Sequence, residues 1–306
     1  MIESLDKLVQ LAQISGGINV HCEFQGEWLV QHQCQPAQAI AHIITDGESW
    51  LSVNDESQPF HLKKGDIVFF SRSANHILST KESLNNYQTI PSTQLKGRLK
   101  LNKIYNSDGG ELKLFCACFQ YDPKAEIFLN LPESFKVNLP QSVLNPLLDL
   151  LKSEIEYGEN ISHQIINSLS NVLLIEIIRS YLSTQPDNVW GTLNGIQDHR
   201  LSRLINQIIS VPEKEWSIAK MVKESHLSRA QFMRLFKQKV GQSPHAFVHK
   251  MRLQKAAVQL KNSAESILTI ALSSGFLSET HFSKAFKTLY GVTPSVYRKN
   301  LSLESM

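Results

Sequence analysis

The sequence has no stretch of eighteen uncharged apolar residues, so no segment of it reads as a membrane-spanning helix. Its first residues, Met1-Ile2-Glu3-Ser4, lack the basic start and apolar core of a secretory leader. We therefore expect a cytoplasmic chain with no membrane partner. Cysteine is scarce, with four residues at positions 22, 34, 116 and 118. In a reducing compartment these are not expected to form structural disulfides; free core thiols, metal ligands and redox sensors remain open. Aspartate is missing altogether from His199 to Met306, where 17 Lys and Arg face 6 Glu, a local charge of +11. The other 198 residues hold 14 basic and 22 acidic side chains, a charge of −8, which brings the chain to its net +3. A basic module on an acidic partner suggests two domains, and 306 residues are enough for a core in each.

The basic module contains one pattern written twice. Leu227-Ser228 is followed by Phe232, Phe236, Lys237, Gly241 and Pro244, and fifty positions later Leu277-Ser278 is followed by Phe282, Phe286, Lys287, Gly291 and Pro294. Two copies imply a duplicated supersecondary unit rather than a solenoid, which needs three or more. Each copy reads as a helix-turn-helix. Ser217 caps a short helix carrying Ile218, Met221 and Val222 to about Ser225, and His226-Leu227 turns the chain. Ser228 then opens a second helix, with Gln231 completing a capping box. In the second copy Ser266 opens a helix with Ile267, Ile270 and Ala271, Gly275 makes the turn, and Ser278 caps the next helix. Phe232, Leu235, Phe236 and Val240 point inward in one copy; Phe282, Ala285, Phe286 and Leu289 do so in the other. Ser243-Pro244 begins a longer helix between the units, to about Asn262.

The faces left over are the candidate DNA contacts: Arg229, Ala230, Met233, Arg234 and Lys237, then Glu279, Thr280, Ser283, Lys284 and Lys287. Short or basic residues near the start of a second helix suit the major groove. Arg234 can fork onto a guanine and Met233 can touch a thymine methyl. Lys237 and Lys287, one turn later, suit phosphates. The connecting helix, at 1.5 Å per residue, spans roughly 27 Å, the right order to hold two reading helices about one DNA turn, roughly 34 Å, apart. A protein-binding helical repeat with merely solvated charges is the plainer alternative, and the +11 charge argues against it.

Tandem helix-turn-helix units on one long helix, the Phe232-to-Lys237 run Phe-x-Arg-x-Phe-Lys, and the Gly-x-Ser/Thr-Pro endings resemble the AraC/XylS class of bacterial transcription regulators over about residues 199–302. The resemblance implies sequence-specific binding to double-stranded promoter DNA, usually activation through RNA polymerase, and a separate sensing domain.

The earlier residues read differently. Residues 2–15 suggest an amphipathic helix closed by Gly16-Gly17. From Ile18 to about Phe119, short apolar or alternating runs recur between turn signals, the spacing of a small antiparallel barrel or sandwich. Asp46-Gly47, Asn54-Asp55 and Lys64-Gly65-Asp66 are expected hairpins, and the polar, Lys-rich residues 81–108 an inserted loop. Two apolar-faced helices, Ser142–Tyr157 and Ser162–Ser183, form a helical hairpin (residues 139–183) suited to packing within the domain or to a homodimer. Residues 184–198 read as a linker. The expectation is an α+β multidomain chain: an antiparallel cupin-like β-barrel sensor with helical hairpin over 1–183, the linker, and an all-α tandem helix-turn-helix domain over 199–306.

Gly65-Asp66-Ile67-Val68-Phe69-Phe70, with Ser71 through His76, resembles the second motif of cupin barrels, and His42 with Gly47 resembles a remnant of the first. Metal-binding cupins place a His-x-His pair and a Glu in that first motif; here Ile43 and Ile44 follow His42, which argues against an enzyme. Cys116 and Cys118 alternate on one strand and share a face. Each Cys or His taken alone reads as an ordinary core residue. Together with Trp28, His32 and the Ala74-x-His76-x-Leu78 run they resemble the sensing domain of reactive-chlorine-responsive AraC-type activators. In that resemblance Cys22 and Cys116 stand at the oxidant-detecting positions. Cys22, Cys116, Cys118, His42 and His76 are thus candidate redox or effector residues. Cys22, His42, His76 and Cys116 also make a candidate zinc or copper set, since two thiolates with two imidazoles is a common zinc arrangement. Three functions compete: a regulator with a cupin-like sensor, a metal-dependent cupin enzyme or metal sensor fused to a DNA-binding module, and a protein-interaction scaffold. We take the first.

Overall fold

The computed structural model describes all residues except 1, 34–37, 54–58, 73, 83–87, 97–98, 106–110, 158–159, 186–188 and 305–306. Cys34 and the Asn54-Asp55 turn lie outside the described residues. In chain order the elements are helix α1 (Ile2–Leu11) and strands β1 (Ser15–Gln25), β2 (Leu29–His32), β3 (Gln38–Val53), β4 (Phe60–Lys63), β5 (Asp66–Phe70) and β6 (His76–Ser79). Next come β7 (Ser92–Lys96), β8 (Leu99–Tyr105), β9 (Glu111–Gln120), α2 (Glu126–Leu129), β10 (Ser134–Asn138), α3 (Gln141–Glu156) and α4 (His163–Thr184). The rest is helical: α5 (Gly191–Gln197), α6 (Ser202–Ser210), α7 (Ile218–Ser225), α8 (Arg229–Val240), α9 (Pro244–Asn262), α10 (Ile267–Ser273), α11 (Glu279–Tyr290) and α12 (Pro294–Glu304).

Two compact units result. One holds residues 14–121 and 132–185, a curled ten-stranded sheet with α3 and α4. The main strand order is β10-β5-β3-β9-β1-β8-β7, and β2, β4 and β6 complete the curl through β3. β9 runs antiparallel to both neighbours, β1 and β3. The inner face is apolar because alternate residues of each strand are: Phe24, Trp28, Ile44, Leu51, Val68, Phe70, Leu78, Leu112 and Leu114 form one buried cluster. α4 is long and apolar enough by composition to cross a membrane, but half of it is buried inside the fold and it packs on β1 and β10 as a core helix. Its Ser170 Oγ accepts the Ile18 backbone N–H at 2.8 Å and donates to the Ile166 carbonyl at 2.7 Å.

Several local expectations change. Asp46-Gly47 is not a hairpin: β3 runs straight through it, with a register shift against β9 between Ile44 and Asp46. Gly47 has φ +75, and a Cβ there would meet the Glu111 carbonyl oxygen at 1.8 Å, so the Asp-Gly pair serves a bulge that bends a long strand. The Lys64-Gly65 turn exists, but its flanking strands pair with different halves of β3 rather than with each other. Residues 81–108 are not simply a loop. They contain β7 and β8, and Leu99, Leu101 and Ile104 are buried where β8 joins β1, in parallel. The lysines between those apolar residues hid the alternation. Gly16 and Gly17 lie inside β1 instead of closing a helix, and α1 stops at Leu11.

The second unit holds residues 1–13, 122–131 and 186–306. It follows that the blocks expected at 1–183 and 199–306 are not the compact bodies, because two early segments bury their apolar faces among the late helices. Leu5, Leu8 and Leu11 of α1 are buried, and α1 packs on α6 and α9. The expected linker also contains α5, whose Thr192, Leu193 and Ile196 are buried. Glu126, buried in α2, gathers the unit together. Its carboxylate accepts from Asn130 Nδ2 at 2.8 Å and Thr192 Oγ1 at 2.9 Å, with Gln242 Nε2 at 3.4 Å, and it pairs with the Lys250 ammonium. Nearby, Asp122 accepts from the Tyr290 hydroxyl at 2.9 Å.

A buried carboxylate that loses its cation is costly, whereas an exposed pair contributes little. Lys250→Met is therefore expected to destabilise the helical unit by about 3 kcal/mol in urea unfolding. Lys255→Met breaks the more exposed 2.9 Å pair with Glu213 and should cost less than about 1 kcal/mol. Equal losses at the two sites would refute the role given to Glu126.

Candidate functional site

The repeated motif folds as two helix-turn-helix units. In the first, Ser217 Oγ caps α7, His226 turns the chain in the left-handed region (φ 53), and Ser228 with Gln231 forms a complete capping box on α8. Gly241 ends α8 at φ 77. In the second, Ser266 caps α10, Gly275 turns at φ 88, Ser278 caps α11, and Gly291 ends it at φ 80. Ser243 Oγ caps α9 with Pro244 at its first position. A left-handed His is costlier than a left-handed Gly, yet the first turn keeps one.

Phe232, Leu235, Phe236 and Val240 are buried, as are Phe282 and Phe286; Ala285 and Leu289 are half-buried. The opposite faces are open. Arg229, Ala230, Met233, Arg234 and Lys237 are exposed on α8, and Glu279, Thr280, Lys284 and Lys287 on α11, with Ser283 half-buried. His281, which the sequence reading passed over, is exposed beside them in the first turn of α11, and its ring sits 5.6 Å from that of His249.

In the curled sheet, strand register gathers the other candidates. His42 of β3 lies directly opposite Cys116 of β9, and on the far side of β9 Cys22 pairs with Leu114, diagonal to Cys116. His32 of β2 lies directly opposite His76 of β6. His42, His76, Cys22 and Cys116 are buried and His32 is half-buried. Cys118 is half-buried and shares a face with Cys116, but lies two residues along, opposite Gly17 and Ile40.

These groups form a directed chain of hydrogen bonds. His76 Nδ1 lies 2.9 Å from the Ala74 carbonyl, which can only accept, so that nitrogen carries the proton. In a neutral ring the other nitrogen, Nε2, then accepts. Its partner at 2.7 Å is His42 Nε2, which must donate. His42 Nδ1 is left as an acceptor, 3.1 Å from Cys116 Sγ, so the thiol donates to it. Cys22 lies beside Cys116 on the neighbouring strand, in the same apolar cluster. Burial keeps the rings neutral. It holds His42 well below the ordinary imidazole range, with the nearby His32 and His76 adding to the effect. His32 is lowered to about 4 by burial, and His76 to about 3 by burial and by His32. The neighbouring Cys22 and burial push the Cys116 thiol well above its usual range.

The two ring nitrogens of His42 face different partners, Cys116 on one side and His76 on the other. One ion cannot use Cys116, His42 and His76 together through those contacts, so the expected two-thiolate, two-imidazole set is not what the strands assemble. They assemble three imidazoles instead. The ligand nitrogens of His32, His42 and His76 lie within 4.8 Å of one another. In the sequence His32 enters only through the sensing-domain resemblance, because its position opposite His76 depends on strand pairing.

Residues 221–300 match a family described as a helix-turn-helix domain, and residues 3–183 match a cupin family. The chain is 42% identical over 303 residues to the HTH-type transcriptional regulator MtrA of Neisseria gonorrhoeae, covering 97% of this chain and 98% of that protein. It is 24% identical over 306 residues to the RCS-specific HTH-type transcriptional activator RclR of Escherichia coli, covering 98% of each. Among solved structures, ToxT from Vibrio cholerae aligns with 94% of this chain and 99% of its own at 12% identity, with a TM-score of 0.39.

Neutral buried histidines make the sheet unit sensitive to acid. An unfolded histidine titrates near about 6.5, whereas His32 and His76 do so at about 4 and about 3 when folded. Between these limits the unfolded chain binds more protons, so stability is full above about pH 6.5 and falls as pH drops towards those folded values. Urea unfolding followed by tryptophan fluorescence should show a lower midpoint at pH 5 than at pH 7. The double variant His32→Gln, His76→Gln should lose part of that difference, and His42 keeps the rest.

Proposed function

We propose that this chain, which belongs to the AraC-type helix-turn-helix transcription regulators with an N-terminal cupin domain, regulates promoters in response to an oxidant detected at Cys22 and Cys116. The observation that carries the signal half of this reading is the 3.1 Å contact of Cys116 with His42, with Cys22 diagonal to Cys116 on the neighbouring strand. RclR, named for reactive chlorine, is the relative that suggests the class of oxidant.

The DNA half rests on the exposed faces of α8 and α11. Arg229, Ala230, Met233 and Arg234 stand in the first two turns of α8, where groove-reading residues belong. Glu279, Thr280, Ser283 and Lys284 hold the matching positions of α11, and Lys237 and Lys287 contact phosphate one turn later. α9, with 19 residues, is roughly 28 Å long at 1.5 Å per residue and sets the two reading helices about one turn of duplex apart.

In its resting state Cys116 is protonated and therefore a poor target for weak oxidants, which need a thiolate. Hypochlorous acid is a stronger electrophile. Attack by the Cys116 sulfur on its chlorine forms an S–Cl bond and releases water, with His42 Nδ1 positioned to take the thiol proton and return it. The Cys22 sulfur then attacks Cys116, expelling chloride and losing its own proton, and an S–S bond forms. Diagonal neighbours on paired strands have Cα atoms roughly 7–8 Å apart, and a disulfide needs less than about 7 Å. Closing the bond therefore shifts β9 against β1. β9 leads within two residues to Asp122, where the segment carrying Asp122 and Glu126 joins the helical unit.

An enzymatic cupin reading lacks its glutamate and second first-motif histidine. Promoter binding assigns the chain to the cytoplasm, where it meets RNA polymerase. A second copy is expected on the helical hairpin, where Leu150, Ile165 and Val172 are exposed.

Two experiments test the reading. Arg234→Ala should weaken binding to a cognate site by roughly 1–3 kcal/mol while sparing random DNA. Lys287→Ala should weaken both alike and reduce the salt slope by about one unit; equal losses on both DNAs for Arg234→Ala would remove it from base readout. In wild-type protein, hypochlorite should protect Cys22 and Cys116 together from alkylation and induce transcription. Cys22→Ser and Cys116→Ser should each abolish induction, and wild-type induction in both would remove the redox mechanism.

A further inference from the structure

We propose that His32, His42 and His76 form a three-imidazole site for a divalent ion of the zinc class, with a fourth position open to an exchangeable ligand. Imidazole nitrogens select late first-row ions over magnesium and calcium, which prefer oxygen. Three such nitrogens within 4.8 Å of one another, on two buried rings and one half-buried ring, meet the first requirement of a zinc-class centre. Three protein ligands plus an open position is also the usual pattern of a zinc site that keeps an exchangeable ligand.

The surroundings orient the donors. His76 Nδ1 donates to the Ala74 carbonyl at 2.9 Å, which fixes the tautomer and leaves Nε2 free to ligate. His42 Nε2 faces it at 2.7 Å. An ion roughly 2.0–2.1 Å from each nitrogen spaces tetrahedral ligands about 3.4 Å apart, so this pair, at 2.7 Å, must open by about 0.7 Å, within reach of small side-chain rotations. Phe70 stacks on His76 with centroids 4.1 Å apart and limits which way that ring can move. His32, the half-buried member, gives an ion a way in.

The third donor is what distinguishes this set from the cupin pattern considered above. It comes from β2, outside both cupin motifs, and reaches the site because His32 and His76 are paired across β2 and β6. No thiolate is required. Cys116 meets His42 at the opposite ring nitrogen and stays outside the coordination sphere. When an ion occupies His42 Nε2, the proton held there moves to Nδ1, so His42 turns from acceptor to donor towards the Cys116 sulfur. Ion binding would therefore change the hydrogen bond that the oxidant reading relies on, so that reading is tested on metal-free protein, where its failure is distinguishable from failure of the ion site.

The test uses the full chain, stripped with chelator and kept reduced, titrated with cobalt(II) as a coloured stand-in for zinc. One equivalent should bind with the ligand-field absorption of a nitrogen-rich four-coordinate site and no sulfur-to-metal charge-transfer band. His32→Gln and His76→Gln should each weaken binding roughly a hundredfold or more, with circular dichroism confirming the fold. Cys22→Ser and Cys116→Ser should bind as wild type. A charge-transfer band that disappears in Cys116→Ser would replace this site with a thiolate one. Wild-type affinity in His32→Gln, or no cobalt bound at all, would overturn it. The oxidant mechanism is read separately, by alkylation of the same metal-free protein.

Discussion

The pairing of β9 between β1 and β3 is the constraint from which the proposed sensing chemistry follows. Register alone sets Cys116 opposite His42 on one side and diagonal to Cys22 on the other. A slip of one residue would turn Cys116 to the opposite face and bring Phe115 or Ala117 in its place. Register is held where burial is deepest: Leu112, Leu114 and Cys116 all belong to the apolar cluster inside the curled sheet. The same burial keeps the histidines neutral, and neutrality gives the hydrogen-bond chain its direction. Packing, protonation and reactivity are therefore one problem here.

The helical unit uses the opposite device. The faces proposed to meet DNA are exposed, whereas two acidic side chains, Asp122 and Glu126, are buried in the same unit, on a segment that interrupts the sheet domain in sequence. Glu126 meets Lys250 of the connecting helix and Thr192 of α5, and Asp122 meets Tyr290 at the end of α11. One short stretch thus touches both the connecting helix α9 and the last turn of α11. Buried polar contacts of this kind add less to stability than apolar ones would, but their donor and acceptor geometry fixes one arrangement.

The helix-turn-helix half was legible almost residue by residue. Its signals are local: Ser217, Ser228, Ser243, Ser266 and Ser278 each cap a helix within three residues of themselves, and Gly241, Gly275 and Gly291 each adopt positive φ in place. The sheet was legible only in outline. Asp46-Gly47 has the composition of a turn and serves a bulge, because what decides between them is the Glu111 carbonyl on another strand. Leu99 and Leu101 lie on a strand that their lysine neighbours disguised.

By itself, then, the sequence determined the duplicated unit, its caps, its basic outer faces and the family to which the chain belongs, since each depends on residues within a few positions of one another or on summed charge. It also determined which cysteines and histidines merited attention. Tertiary structure decided which of them meet. His32 joins His76, His42 divides its two nitrogens between His76 and Cys116, and residues 1–13 and 122–131 leave the sheet for the helical unit. Those outcomes depend on strand register and on which apolar faces cover one another, and neither is encoded by residues that are neighbours in the chain.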